Sequence, residues 1–179
     1  MADWPSTRLT DRLIISTLSP EGLGLECRAM AQTLGSTSWP TASMGIFVPM
    51  KILEPVTVVQ LFIETGTSAA GNVDVGIYDK GGSQITNFGS TQVASATSFM
   101  LFNINDVTLN PGLYYFAMSM TDTNANTHVG FAPAAGLCRA LGVVAQAAAV
   151  PLPSTATFAA TSEARIPFIG AMLLRTTIQ

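Results

Sequence analysis

The stretches that decide the fold are NVDVGIYD (Asn72–Asp79) and LNPGLYYFAM (Leu109–Met118). In the first, Val73, Val75 and Ile77 alternate with less apolar residues, which is the period of a strand with one buried face. The second begins with a tight-turn signal, Asn-Pro-Gly, and continues with aromatic and apolar residues that favour strands. Both stretches therefore predict β-strands.

A third strand is predicted between them, at Phe99–Asn105, because Met100, Phe102 and Ile104 share one face. The simplest interpretation of the three segments is an antiparallel set joined by short turns. The last of them, from Leu113 onward, is apolar on both faces, which predicts a central strand or a strand whose outer face is covered.

A further strand is predicted at Val56–Thr65, with Val59, Leu61 and Ile63 pointing one way. Phe62 falls on the opposite, polar side of this strand. A phenylalanine in that position is expected to be covered by the arm or to lie in a subunit contact.

The remaining segments complete an all-β pattern of about seven or eight short strands without an amphipathic helix between them. This spacing favours an antiparallel β-sandwich of jelly-roll type. The additional elements are a strand at Ser43–Met50 interrupted by Pro49, a hairpin loop at Asp79–Ser83, a return strand at Gln84–Phe88, a strand at His128–Ala132 and a last strand at Ile166–Thr176.

The predicted domain organisation is an extended N-terminal arm, residues 1–40, followed by the sandwich, residues 41–179. The arm is rich in Pro and Gly and sustains no period. Its tryptophan Trp4 and the boundary residue Trp39 either anchor in a partner's pocket or pack on their own domain. An Ala- and Pro-rich excursion at 134–162 is predicted to pack on the body or on a neighbour, with a short helix fitting at Ala140–Ala149.

The composition bears on partners. Of 179 residues, 48% are hydrophobic and only 11% are charged, and the net charge is −3. A surface with so little charge is expected where other copies or other proteins cover it, although a neutral, Thr-rich soluble protein is the alternative.

Nucleic acid is excluded as a partner because no basic cluster exists. The sequence contains neither a signal-peptide pattern nor a good membrane span, so the chain is expected to be made in the cytosol and not inserted in a membrane.

Residues able to carry chemistry are few. His128 is the only histidine and lies near no nucleophile motif, so it is interpreted as structural. Cys27 and Cys138 are interpreted as buried thiols, with a disulfide between them left open. The loop Asp122–Asn126 resembles the start of a calcium loop, but Thr127 replaces the required Gly and the final Glu is absent, so a polar turn is the better interpretation.

Two other groups of residues are weaker candidates for a site. Asp74, Asp79 and Asp106 could form a glycosidase carboxylate pair, but acids at strand ends and turns are normally solvated. Tyr114 and Tyr115 could form a sugar-stacking platform, but core packing accounts for them more simply. The sequence therefore predicts no catalytic, cofactor-binding or metal site, and a protein that is not an enzyme.

The segments FVPMKILEPVTVVQLFIETGTSAAGNVDVGIYDKGGSQI and VTLNPGLYYFAMSM resemble a jelly-roll module of tailed-bacteriophage virion proteins. The resemblance covers about residues 44–120 and supplies no catalytic residues. It implies a capsid decoration (cement) protein, with a head-fibre or tail component as the alternative within the class.

If the resemblance holds, the chain is a non-enzymatic virion protein that stabilises the head through self-association, as a homotrimer, and through contact with the major capsid protein. The low charge, the arm and the excursion would then be interface surface, with affinity repeated over symmetric copies. From a different functional class, the alternative is a carbohydrate-binding β-sandwich used for adsorption to host glycans.

Overall fold

A computed structural model describes residues 12–16, 35–123 and 126–174. The described chain is all-β with antiparallel sheets and one short helix, α1 (Ala135–Ala140). Its strands are β1 (Arg12–Ser16), β2 (Gly35–Thr37), β3 (Gly45–Ile52), β4 (Val56–Glu64), β5 (Asn72–Asp79), β6 (Gln84–Asn87), β7 (Thr91–Gln92), β8 (Phe99–Leu109), β9 (Gly112–Met120), β10 (His128–Phe131), β11 (Val144–Gln146), β12 (Ala159–Ala160), β13 (Ile166–Pro167) and β14 (Ile169–Leu174).

The strands form three sheets. A four-stranded sheet has the order β1-β14-β4-β8, and a seven-stranded sheet has the order β12-β11-β3-β9-β5-β6, with β7 also pairing with β5. A three-stranded sheet, β13-β10-β2, joins them. Apolar side chains from the two larger sheets meet in one core that includes Val58, Leu61, Val75, Phe102 and Phe116. The arrangement is therefore sandwich-like.

Two of the decisive strands pair as neighbours, but the third does not lie beside them. β5 and β9 pair directly, from Val73 opposite Met120 to Asp79 opposite Tyr114. β8 belongs to the other large sheet and pairs with β4. The prediction of three adjacent strands was wrong because residues 110–111 form a corner that carries the chain from one sheet to the other. The shared face of the Met100, Phe102 and Ile104 side chains is confirmed, since all three contact the core.

The register of β4 differs from strict alternation. A bulge between Val58 and Gln60 shifts the alternation of β4, so the residues before the bulge and those after it do not follow one period of two. Val58 is fully buried and Val59 is only partly buried, so Val59 was wrongly predicted to face the core, whereas Leu61 and Ile63 do so. A strand with a bulge cannot be read from a period of two alone.

The excursion covers the outer face of the seven-stranded sheet. Ala149, Leu152 and Ala156 form a second apolar cluster with Phe47 and Tyr78 of that sheet. This cluster confirms that the excursion packs on the body. The short helix is α1, at the start of the excursion, and the predicted position at 140–149 is instead occupied largely by β11 and a loop.

The described part of the predicted arm contains two strands, β1 and β2. β1 pairs with β14, β2 pairs with β10, and Trp39 is buried and donates from Nε1 to the Met44 carbonyl at 2.9 Å. Trp39 therefore packs on its own domain. Trp4 and Cys27 lie outside the described residues, and the division of the chain at residue 40 stays a prediction.

Candidate functional site

The candidate site is an apolar hollow on the outer face of the four-stranded sheet, here called the outer groove. It has a volume of about 430 Å³. Its lining consists only of apolar side chains, contributed by β4, β8, β14 and the residue before β14: Phe62, Phe99, Leu101, Phe168 and Met172.

Three phenylalanine rings form one wall of the outer groove. The ring centroids lie 6.0 Å apart for Phe62 and Phe99, 5.8 Å for Phe62 and Phe168, and 6.3 Å for Phe99 and Phe168. All three pairs meet edge to face, which is a favourable arrangement of aromatic rings. The wall is therefore a packed aromatic unit rather than a set of separately exposed side chains.

A glycine on β14 makes room for the central ring. Gly170 lies opposite Phe62 in the pairing of β14 with β4. A Cβ built on Gly170 would lie 2.1 Å from Cζ of Phe62, so any side chain there would displace the ring. Phe62 is only 4% exposed and packs against Phe99 and Phe168 of its own chain, whereas the sequence predicted cover by the arm or a subunit contact.

The solvent side of the outer groove is formed by β8. Phe99 is 58% exposed and Leu101 is 53% exposed, although both are large apolar residues. Farther along β8, the outer face of the sheet is polar. There the side-chain amide of Gln60 donates to the amide oxygen of Asn103. The outer groove is thus an apolar patch with a polar margin, an arrangement typical of protein contact surfaces.

Asp74 was expected to be solvated, but it is fully buried. Its Oδ1 accepts from the Gly89 N–H at 3.0 Å and its Oδ2 accepts from the Leu152 N–H at 2.8 Å. Burial raises the pKa of the Asp74 carboxyl, and these backbone donors act against that rise. The carboxylate therefore fastens the excursion to β5 rather than facing a cleft.

The other two acids do not join Asp74. Asp79 closes the β5–β6 hairpin, where its Oδ1 accepts from the N–H groups of Gly81 and Ser83, both at 2.8 Å. Asp106 is exposed on β8, in the other large sheet. The structure therefore does not bring the three acids together as a glycosidase pair.

Tyr78 lies four residues after Asp74 on β5. It was predicted on the face opposite the buried one, but it is buried under the excursion. Its hydroxyl donates to the Pro153 carbonyl at 2.6 Å and accepts from the Gln84 amide at 3.0 Å. Burial raises the pKa of Tyr78 to about 12 because it outweighs the hydrogen bond from Gln84, which lowers the pKa, and the charge of Asp74 adds a smaller rise. The Tyr78 hydroxyl is therefore a structural hydrogen-bonding group at neutral pH.

His128 is buried in the core beside Trp39, with the ring centroids 4.9 Å apart. Burial, followed by the charge of Arg165, lowers the pKa of His128 to about 3. Neither ring nitrogen has a hydrogen-bond partner among the described residues. A neutral, enclosed imidazole fits the structural interpretation of this residue.

The remaining candidates also have structural surroundings. Cys138 is a buried free thiol whose pKa is raised by burial. Tyr114 donates to the Asn110 carbonyl at 2.9 Å, and the Tyr115 ring packs on Phe158 at 4.6 Å, so the two tyrosines form no open platform. Asn124 of the calcium-like loop lies outside the described residues.

Within residues 12–16, 35–123 and 126–174, no group of His, Cys, Asp and Glu side chains is arranged to hold a metal ion. In the same ranges no helix is long and apolar enough to cross a membrane. No protein-family model matches the chain, and neither a curated protein nor a solved structure matches it.

Sequence reasoning found Phe62 but missed its partners in the outer groove. The available signal was in β8, where Phe99 and Leu101 make the second face of the strand apolar as well. Phe168 and Met172 carried no such signal, because their position depends on β14 pairing with β4, far away in the sequence.

Proposed function

We propose that this chain is a non-enzymatic structural protein of a tailed-bacteriophage virion, and that it acts as a head decoration protein through self-association and contact with the major capsid protein. The observation that carries the proposal is the outer groove, where Phe99 and Leu101 stay more than half exposed on a protein with only 11% charged residues. Exposed apolar surface of this kind marks contact sites between proteins.

We also propose a jelly-roll topology for the sandwich. A jelly roll is a two-stranded ribbon wound across two sheets. Here β3 pairs with β9 in one sheet, and β4, which follows β3, pairs with β8, which precedes β9, in the other. The corners at residues 53–55 and 110–111 lie on the same path, so the pairing supports one wound ribbon.

The proposed place in the particle is a homotrimer on the head, with a head fibre or a tail component as the other position within the same class. The resemblance of residues 44–120 to virion jelly rolls supports the class. The structural roles of Asp74, Tyr78 and His128 support a protein without catalysis, because their side chains fasten or fill the core.

Mass spectrometry of phage particles purified from the organism that carries this sequence tests the proposal. We expect the chain to copurify with the major capsid protein at a fixed ratio that survives washing in high salt, since apolar contacts are not screened. Particles that lack the chain would contradict the proposed function.

A carbohydrate-binding role is the second candidate. The exposed ring of Phe99 lies on the same strand as the amide of Asn103, and aromatic faces with nearby amides can bind sugars. Binding to immobilised host-surface glycans that is lost in Phe99→Ala, by a protein absent from particles, would favour this role over the structural one.

A further inference from the structure

We propose that β8 is a self-association strand, and that its segment Phe99–Asn103 pairs antiparallel with the same segment of a second copy of this chain. The inference rests on the proposed role in self-association and identifies a contact that joins copies in pairs, which is separate from the three-fold contact of the proposed homotrimer. β8 has 11 residues and ends the order β1-β14-β4-β8, so among the described residues one of its edges is open.

The hydrogen-bonding groups of that edge can be assigned from the register. The Thr65 N–H donates to the Ser98 carbonyl at 2.8 Å, and the same register continues to Ile63 opposite Met100. Opposed residues of antiparallel strands alternate between bonded and non-bonded pairs. Met100 and Phe102 therefore bond to β4, whereas the N–H and C=O groups of the residues at 99, 101 and 103 point away from it.

The segment lacks the features that protect open edges. Natural edge strands are commonly blocked by Lys, Pro, inward charges or bulges. Phe99–Asn103 contains none of those residue types, and the irregularity of β8 lies beyond it, opposite the bulge at Val58/Gln60. The only charged residue of β8 is Asp106, which lies outside the proposed pairing.

A second copy of this chain satisfies both the open edge and the apolar face. An antiparallel pair centred on Leu101 places Leu101 opposite its copy and Phe99 opposite Asn103 of the second copy. Opposed residues share one face of a sheet, so the two outer grooves join into one apolar surface. The paired segment carries no charge, so no like charges are opposed across the two-fold contact.

The ends of the described chain also favour another molecule over this chain's own termini. Arg12 and Leu174 are paired with each other at the end of the sheet level with Thr57 and Thr108. Phe99 lies at the opposite end of β8. The described chain therefore stops at Arg12 and Leu174 at the end of the sheet away from the proposed contact, and at Ser16 on β1, the edge of the sheet opposite to β8.

Light scattering of the full-length protein tests the contact with Leu101→Lys, and Leu53→Lys is the matched control because Leu53 is 70% exposed in the corner after β3. We expect the wild type and Leu53→Lys to form a two-fold species. Losing two buried leucines and opposing two lysines should weaken association in Leu101→Lys by about a hundredfold or more.

A cysteine variant tests the register without relying on destabilisation. In a Cys27→Ser background, Leu101→Cys should form a disulfide between copies under mild oxidation, because opposed residues in a bonded pair have Cα atoms about 5.5 Å apart. Leu53→Cys in the same background should stay reduced.

The outcomes separate this inference from the proposed function. An oligomer that persists in Leu101→Lys, or a trimer whose Leu101→Cys form does not cross-link, would overturn the β8 contact while self-association stands. A wild type that is monomeric at high concentration would overturn both, and would be the result expected if the edge takes a strand from a different protein.

Discussion

Gly170 is the residue on which the packing of the outer groove depends most directly, because the Phe62 ring occupies the space of its missing side chain. We expect Gly170→Ala to lower the free energy of unfolding by about 1–3 kcal/mol, as overpacking does in buried sites. Urea denaturation measures the change.

Gly136→Ala is the matched control for that substitution. Gly136 lies in α1, and nothing lies within 4 Å of a Cβ built on it. Alanine there should leave the protein unchanged or stabilise it by up to about 1 kcal/mol, because it favours the helix. Equal effects at the two positions would show that Phe62 does not need the space above Gly170.

His128 gives a pH dependence whose sign follows from its burial. Its pKa is about 3 in the folded protein and near 6.5 when unfolded. Because the unfolded state binds the proton first, the stability that His128 contributes is fully present above pH 6.5 and is lost progressively as the pH falls toward 3. Between pH 6.5 and 5 the loss should be about 1–2 kcal/mol.

The measurement is the unfolding free energy of wild type and His128→Phe at several pH values between 7 and 5. Phenylalanine keeps an aromatic ring beside Trp39 and cannot titrate. Since the sequence has a single histidine, we expect the wild type to lose more stability than His128→Phe over this range. Parallel pH profiles would mean that folding does not lower the pKa of His128.

At the scale of elements, the excursion forms a layer of its own. Leu152 is buried against the outer face of the seven-stranded sheet, and its N–H donates to the Asp74 carboxylate. We expect Leu152→Ala to cost about 2–4 kcal/mol, because it leaves a cavity between the excursion and the sheet.

Leu53→Ala serves as the comparison, since Leu53 is 70% exposed and its truncation should cost less than about 0.5 kcal/mol. Thermal or urea unfolding of the two variants measures the difference. A small effect at Leu152 would indicate that the excursion detaches without unfolding the sheets.

The same elements show how far the sequence could predict the structure. The strand β5 and the hairpin at Asp79–Ser83 follow from local patterns and were predicted correctly, with Gly82 taking the positive φ of 88° that the turn needs, but both faces of β5 are buried where the alternation predicted one. The buried state of Asp74 and Tyr78 was not predictable, because the excursion that covers them comes more than 70 residues later.

The candidate site, too, was partly predictable from local sequence and partly not. Phe62 was conspicuous because an apolar side chain interrupts a polar row, which is a local signal. The position of β8 at a sheet edge depends on which strands pair across the core, and the corner at residues 110–111 looked like a hairpin turn. Long-range pairing of this kind leaves no pattern in the sequence of either strand.

At the scale of the whole molecule, the low charge and the outer groove both favour self-association. A surface with 11% charged residues offers little electrostatic repulsion between copies, and β8 presents both an apolar face and an open edge. Association would bury the apolar surface that is otherwise exposed to water. The proposed virion role depends on this property.

The mass of the purified full-length chain in solution, measured by light scattering over a range of concentrations, tests the central claim most directly. A stable species at a multiple of the 18.7 kDa chain mass is the result that the account predicts, with twice that mass expected from the β8 contact. A mass of 18.7 kDa at every concentration would contradict it.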